Sequence, residues 1–349
     1  RYNNQKEIYV GVFDLLEKAN SELTAIINAN NADQLLSNDL VLQGDIYLNN
    51  DLIQWRKAVN SYKLRVLISL SKKEADADLN IKAKFAAIIN DPVKYPVMTS
   101  LMDNVEFKYN GTTNIYPLHP GNRGFDKGRY NTADTYISLL TTLKDPRVFI
   151  AANPAKKKLT QGVAPTDFAA YVGASSGESL DNMSSKAGTG EYSFTNQKRY
   201  YGSLTGPEPA VQLGYPEQCF NIAEAINRGW VAGNASEYYY KGIRASMEFY
   251  KITDGSIIEI TDQDTDATLG TVTANVTAYL LQPAVIYAGN TAAGLKQILE
   301  QKYLALFQQS GQEAYFNYRR TGVPTFQVGP GTGNNGVIPK RWLYPVAEK

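Results

Sequence analysis

Histidine and cysteine each occur once in 349 residues, at His119 and Cys219. One cysteine excludes an intramolecular disulfide and a thiolate metal cluster. One histidine excludes sites built from several imidazoles. No G-x-S-x-G elbow accompanies His119, which removes the usual serine-hydrolase arrangement. Long apolar runs are absent too; none approaches the roughly 20 residues that a membrane-spanning helix needs. Excess charge of one sign is also missing. With 35 basic and 34 acidic residues the net charge is +1, so there is no electrostatic footprint for nucleic acid. No signal peptide is visible. The chain starts at Arg1 without Met and reads as processed or partial, so a missing leader says nothing about compartment.

Local motifs for chemistry are equally scarce. Glycoside hydrolysis needs two carboxylates flanking one bond, and no Asp/Glu pair stands out. Cys219 lies beside Phe220 on an apolar helix pattern and reads as core. "GPGTGNNG" (329–336) lacks a phosphate-loop lysine and does not join a strand to a helix, so it reads as a surface loop. "DQDTDATLG" (262–270) lacks the spaced Gly and the terminal Glu of a calcium loop. It reads as a solvated turn, with a bound cation as the alternative. No cofactor is implied.

Tyrosine is what the chain has in quantity: 24, against 12 Phe and 3 Trp. Its apolar body and polar tip suit half-buried packing or wet binding surfaces. Apolar residues recur at helical spacing over several segments. Residues 5–29 carry Ile8, Val12, Leu15, Leu16, Ala19, Leu23, Ile26 and Ile27 on one stripe. A helical or turn segment follows at 38–48. Asp51 then opens a helix apolar over most of its girth, which predicts burial on several sides. A helix over 78–90 stops at Asp91-Pro92. "NVEFKYN" alternates like a strand. Pro146 ends a helix that starts near Asn131. Pro216 and Gly229 bound another helix, and Asn234 with Glu237 makes a capping-box spacing for the next. "SIIEIT" and "ATLGTVTANVTAYLL" read as strand-like. The last long helix covers 291–309. Segments 96–130 and 151–214 lack a period and are rich in Gly, Ser, Pro and Tyr, which marks functional or mobile loops.

The helix pair over 215–250 places small residues (Ala223, Ala225) and an Ala235-x3-Tyr239 pattern where two helices meet, as tetratricopeptide hairpins do. Four stretches then resemble the SusD/RagB family, in its SusD-like outer-membrane lipoprotein branch from Bacteroidetes: "QWRKAVNSYKLRVLISLS" (54–71), "LKDPRVF" (143–149), the run 208–250 from "EPAVQLGYPEQ" to "GIRASMEFY", and "QKYLALF…EAYFNYRRTGVPTF" with "IPKRWLYP". They occur in the family's order across nearly the whole chain. Tyr215-Pro216-Glu217 departs from the family's apolar-Ala-Glu turn, and the family's N-terminal portion with its lipidated cysteine is missing here.

The resemblance implies a single mostly α domain over 1–349. Tetratricopeptide-like hairpins at about 5–90, 131–145, 215–250 and 291–318 would pack against a loop-rich half with a few short strands. It implies a non-enzymatic cell-surface subunit, anchored in the outer membrane by an N-terminal lipid outside this chain and facing the exterior. Such a subunit captures oligosaccharide and hands it to a SusC-type TonB-dependent transporter. The alternatives are a helical-repeat interaction scaffold, a peptide-binding importer subunit or a glycosidase. Arg319 and Arg320 then belong to a fold signature, expected to bond helix C-terminal carbonyls. No family motif transfers a ligand residue. Candidates come from the irregular segments: Tyr116, His119, Arg123 and Phe125 in one; Tyr171, Tyr192, Phe194, Arg199, Tyr200 and Tyr201 in the other. Packing of these loops on the helical half is the competing reading for each.

Overall fold

The computed structural model describes residues 3–30 and 44–341, and it is mostly α-helical. Residues 38–43 of the segment expected over 38–48 lie outside the described residues, as does the tail motif from Trp342 onward. The chain clusters into two compact units. The first is Arg1–Tyr109, Glu208–Phe249 and Val285–Val323; the second is Asn110–Pro207, Tyr250–Ala284 and Pro324–Lys349.

In chain order, α1 (Gln5–Ala29), α2 (Leu52–Ser69) and α3 (Ile81–Asn90) belong to the first unit. The second unit takes α4 (Pro120–Asp126), α5 (Asp134–Thr142), α6 (Arg147–Ala151), α7 (Lys156–Thr160), α8 (Leu180–Gly188) and α9 (Gln197–Tyr200). Then α10 (Tyr215–Asn227) and α11 (Ala235–Phe249) return to the first, α12 (Val276–Leu280) to the second, and α13 (Ala292–Ala305) and α14 (Glu313–Thr321) to the first. Two antiparallel ladders complete the units: β1 (Val105–Phe107) with β2 (Ala210–Leu213) in the first, β3 (Ile257–Thr261) with β4 (Thr268–Thr273) in the second. The helix expected over 131–145 thus sits in the second unit, apart from the hairpins it was grouped with.

The first unit is built on helix pairing. Asn4 and Glu7 close a capping box at the start of α1, and the Asp51 carboxylate accepts from the Ile53 and Gln54 N–H groups at the start of α2. α2 is buried around most of its circumference, as its pattern predicts; Leu64, Leu67 and Ile68 are inaccessible. They join Ile81, Phe85, Ile222, Ala225 and Trp230 in one core. The α1 stripe is less buried than expected: Phe13 is inside, while Ile8, Leu15 and Ile26 stay exposed. Between α10 and α11 the backbones approach closely. A Cβ on Gly242 would come within 2.7 Å of the Phe220 ring. The buried Tyr239 fills the space beside Phe220 and donates its hydroxyl to the Val285 carbonyl at 2.9 Å. Gly229, at φ 71°, adopts the left-handed conformation that ends α10. The capping box at α11 does not close: Asn234 accepts from the Ser236 N–H and hydroxyl, and Glu237 pairs with Lys241. Cys219 is core, and burial pushes its thiol up to about 12.

Charged side chains run through this helical core. Arg65 forks onto Glu217, with Nε at 2.8 Å from Oε1, and reaches the Gln212 carbonyl at 2.8 Å. Glu224 has no exposed surface; it accepts from Arg320 Nη2 at 2.8 Å and from Arg228 Nε at 2.8 Å. Arg320 therefore serves a carboxylate rather than the helix carbonyls expected for it, and Arg319 lies over the Tyr315 ring. Burial works to raise the Glu224 carboxyl, but Arg320, with Lys302 and Arg228, outweighs it and holds the group below its ordinary range. Lys302, also buried, donates to Asn221 at 2.6 Å and Asn317 at 2.9 Å, and burial pushes its amine down to about 8. In the second unit an Asp145–Arg147 ion pair is wholly buried, at 2.6 Å.

Candidate functional site

The second unit holds most of the aperiodic residues, and isolated backbone bridges together with side-chain contacts pin them. At α4, Pro120 supplies the first helical turn and His119 Nδ1 accepts from the Gly121 N–H at 3.1 Å. The single histidine is thus a cap. Two residues on, Arg123 grips Asp266 through both guanidinium nitrogens, each contact 2.5 Å, and reaches the Gln263 carbonyl at 3.3 Å. Lys127 pairs with Asp264 at 2.7 Å, and Lys156 pairs with the same carboxylate. The buried Asp126 accepts from the Tyr201 hydroxyl at 3.2 Å. One side of the 120–130 segment is therefore clamped to the β3–β4 turn. The same contacts explain the "DQDTDATLG" loop. Asp264 and Asp266 are spent on internal cations, and among the described residues no group of three or more His, Cys, Asp or Glu could hold a metal ion.

The other side of the segment faces solvent. Phe125 is 68% exposed and Tyr130 51%. The Arg129 guanidinium lies 3.9 Å from the Phe125 ring centroid, within cation–π range. Tyr130 is held from behind: its carbonyl accepts from the Thr195 N–H at 3.4 Å, and Asn131 bridges to Phe194. Two rings and one guanidinium are thus displayed on an anchored backbone. Chemically this set offers ring faces for C–H groups and N–H donors for hydroxyls. Asp126, Asp264 and Asp266 are each committed to a partner within the unit.

The ten residues singled out from sequence differ in how far they are buried. Tyr171, Tyr192, Phe194, Tyr200 and Tyr201 are between 1% and 6% exposed. Tyr171 packs edge-on against Phe149 and donates to the Pro165 carbonyl at 3.1 Å, and Tyr192 donates to Glu178. Their faces are covered by protein. Burial raises the Tyr171, Tyr200 and Tyr201 hydroxyls well above the ordinary tyrosine value. Arg199 is half-buried, with its N–H on Asn196 at 3.1 Å. Tyr116, His119 and Arg123 come together with Phe125 on the 116–130 stretch, where the Tyr116 ring rests on Gly206. Sequence reasoning missed Arg129 and Tyr130. No sequence signal marked them, because they lie in the aperiodic stretch just past α4.

A family model described as starch-binding associating with outer membrane matches residues 1–345. No curated protein matches. Among solved structures, a SusD homolog from Bacteroides fragilis is 34% identical, with 100% of this chain and 70% of that chain covered, at TM-score 0.79. A second SusD homolog from the same species is 29% identical, covering 99% and 69%, at TM-score 0.75. A chitin-binding protein at 24% identity, covering 100% and 67%, shares the fold at TM-score 0.72.

Proposed function

The chain belongs to the SusD-like family, and from that premise we propose that it is a non-enzymatic glycan-binding subunit of an outer-membrane nutrient importer. The observation that carries the reading is the anchored, outward-facing pair Phe125 and Tyr130 beside Arg129. Sugar rings bind through stacking of their C–H faces on such aromatics, with polar groups taking the hydroxyls. In this account Tyr116, His119 and Arg123 hold the platform in place. Tyr201 and Phe194 brace it from behind through Asp126 and Asn131, and Tyr171, Tyr192, Tyr200 and Arg199 serve packing within the unit. The whole chain forms one SusD-like domain that includes both units. A lipid anchor, exposure to the exterior and delivery to a SusC-type TonB-dependent transporter complete the proposed role.

Phe125→Ala and Tyr130→Ala test it. Both sites are exposed, so folding is expected to survive, and thermal unfolding checks that. Each variant is expected to lose about tenfold or more in affinity for the glycan that the wild type binds, a loss of about 1.4 kcal/mol. Unchanged affinity in both would remove the site from this face.

A further inference from the structure

We propose that the first unit carries a second binding site, a basic cavity that takes an acidic peptide segment. The cavity, about 450 Å³, lies between α1, the end of α2 and α14. Tyr9, Tyr62 and Phe316 supply ring surface to its wall, with Tyr62 42% and Phe316 40% exposed. Lys72, Lys73 and Arg319 stand at its rim, all exposed. None of the three meets a carboxylate among the described residues. Lys72 Nζ is 3.5 Å from the Arg319 carbonyl, and the Arg319 guanidinium rests over Tyr315. Deeper in, Arg65 and Arg320 are already neutralised by Glu217 and Glu224. Glu313 is the one acid in the lining, and it is half-buried.

The ends of α2 and α14 account for some of this charge, since cations complement helix C-terminal carbonyls. They do not account for the open volume or for the three rings facing it. The chain as a whole is nearly neutral, at +1, so the positive rim is a local feature. A neutral sugar in this cavity would leave the three rim cations to water, with no carboxylate to pair them. A segment with carboxylates spaced along it satisfies them, and its apolar side chains find the Tyr9, Tyr62 and Phe316 surface. The occupant that fits is therefore an acidic peptide with an aromatic or aliphatic residue among its acids.

Fluorescence anisotropy with a labelled hexaglutamate peptide ending in Phe tests the proposal, with a hexalysine peptide and a thymidine hexanucleotide as controls. The acidic peptide is expected to bind, and to weaken about tenfold or more when salt rises from 50 to 500 mM. Lys72→Glu combined with Arg319→Glu is expected to abolish binding, and Phe316→Ala to weaken it severalfold. Should the double variant fold poorly, the exposed Lys73→Glu replaces it with the same expected direction. Glycan affinity is expected to be the same in all of these variants, and Phe125→Ala to bind the peptide normally, so the two sites fail or stand separately. Equal binding of hexalysine, preferential binding of the oligonucleotide, or peptide affinity that ignores the charge reversals would each overturn the proposal.

Discussion

Glu224 has no exposed surface and lies between the guanidiniums of Arg320 and Arg228. Removing one partner of such a pair leaves buried charge uncompensated, which costs about 3–5 kcal/mol. Glu224→Gln is expected to lower stability by roughly that amount in denaturant unfolding at neutral pH. Because its folded-state pKa is depressed, the Glu224 contribution is complete above the ordinary carboxylate range and is lost as pH falls through the depressed value. The acid limb of stability against pH should therefore be shallower in the variant. Lys302 has linkage of the same sign in a higher pH window, because burial disfavours its charged form. Its folded amine titrates near 8, below the unfolded value, so between the two the unfolded chain holds the extra proton and stability rises with pH. Lys302→Met should remove that rise across about pH 8 to 10, measured by thermal unfolding. A stability profile identical to wild type would mean Lys302 is solvated. The Glu224–Arg320 pairing was not legible in sequence, whereas Arg228 stands at the local i, i+4 spacing from Glu224. Arg320 and Glu224 are 96 residues apart, and a helix-end arginine has nearer carbonyls to choose from.

At the level of elements, the readable features were those set by local chemistry. The α1 limits, Gln5–Ala29, match the expected 5–29 because Asn4 caps one end and the apolar spacing runs to the other. The α10–α11 hairpin was readable for the same reason, through Pro216, Gly229 and the Ala235–Tyr239 pattern. Its close approach gives a further prediction. Gly242→Ala would force the enclosed Phe220 ring to move, since the added carbon comes within 2.7 Å of it. Overpacking of this kind costs typically about 1–3 kcal/mol, against the gain in helix propensity of up to about 1 kcal/mol that the same change gives at an open site. Net destabilisation in chemical unfolding is expected; net stabilisation would show that Phe220 yields freely. In the second unit the limit of sequence reading is plain. The aperiodic stretches gave no period from which to tell inside from outside, so Tyr200 and Tyr201, both buried, looked the same as Phe125 and Tyr130, both exposed. The clamp of Arg123 and Lys127 on Asp266 and Asp264 joins positions about 140 residues apart and leaves no local trace.

Across the whole molecule, the division of labour follows from where order comes from. The first unit draws it from helix pairing and buried ion pairs, and its side chains are mostly consumed in doing so. The second unit draws it from point contacts between loops, which frees short stretches such as 125–130 to face water. The exposed Phe125 and Tyr130 rings with the Arg129 guanidinium fit the proposed capture of a hydroxyl-rich ligand. Isothermal titration against a polysaccharide panel that includes starch and chitin oligosaccharides, with product analysis of the same samples, tests that most directly. The account predicts saturable binding of at least one glycan, weakened about tenfold by Phe125→Ala, with the oligosaccharide recovered intact. Silence across the panel, or cleavage of any member of it, would contradict the account.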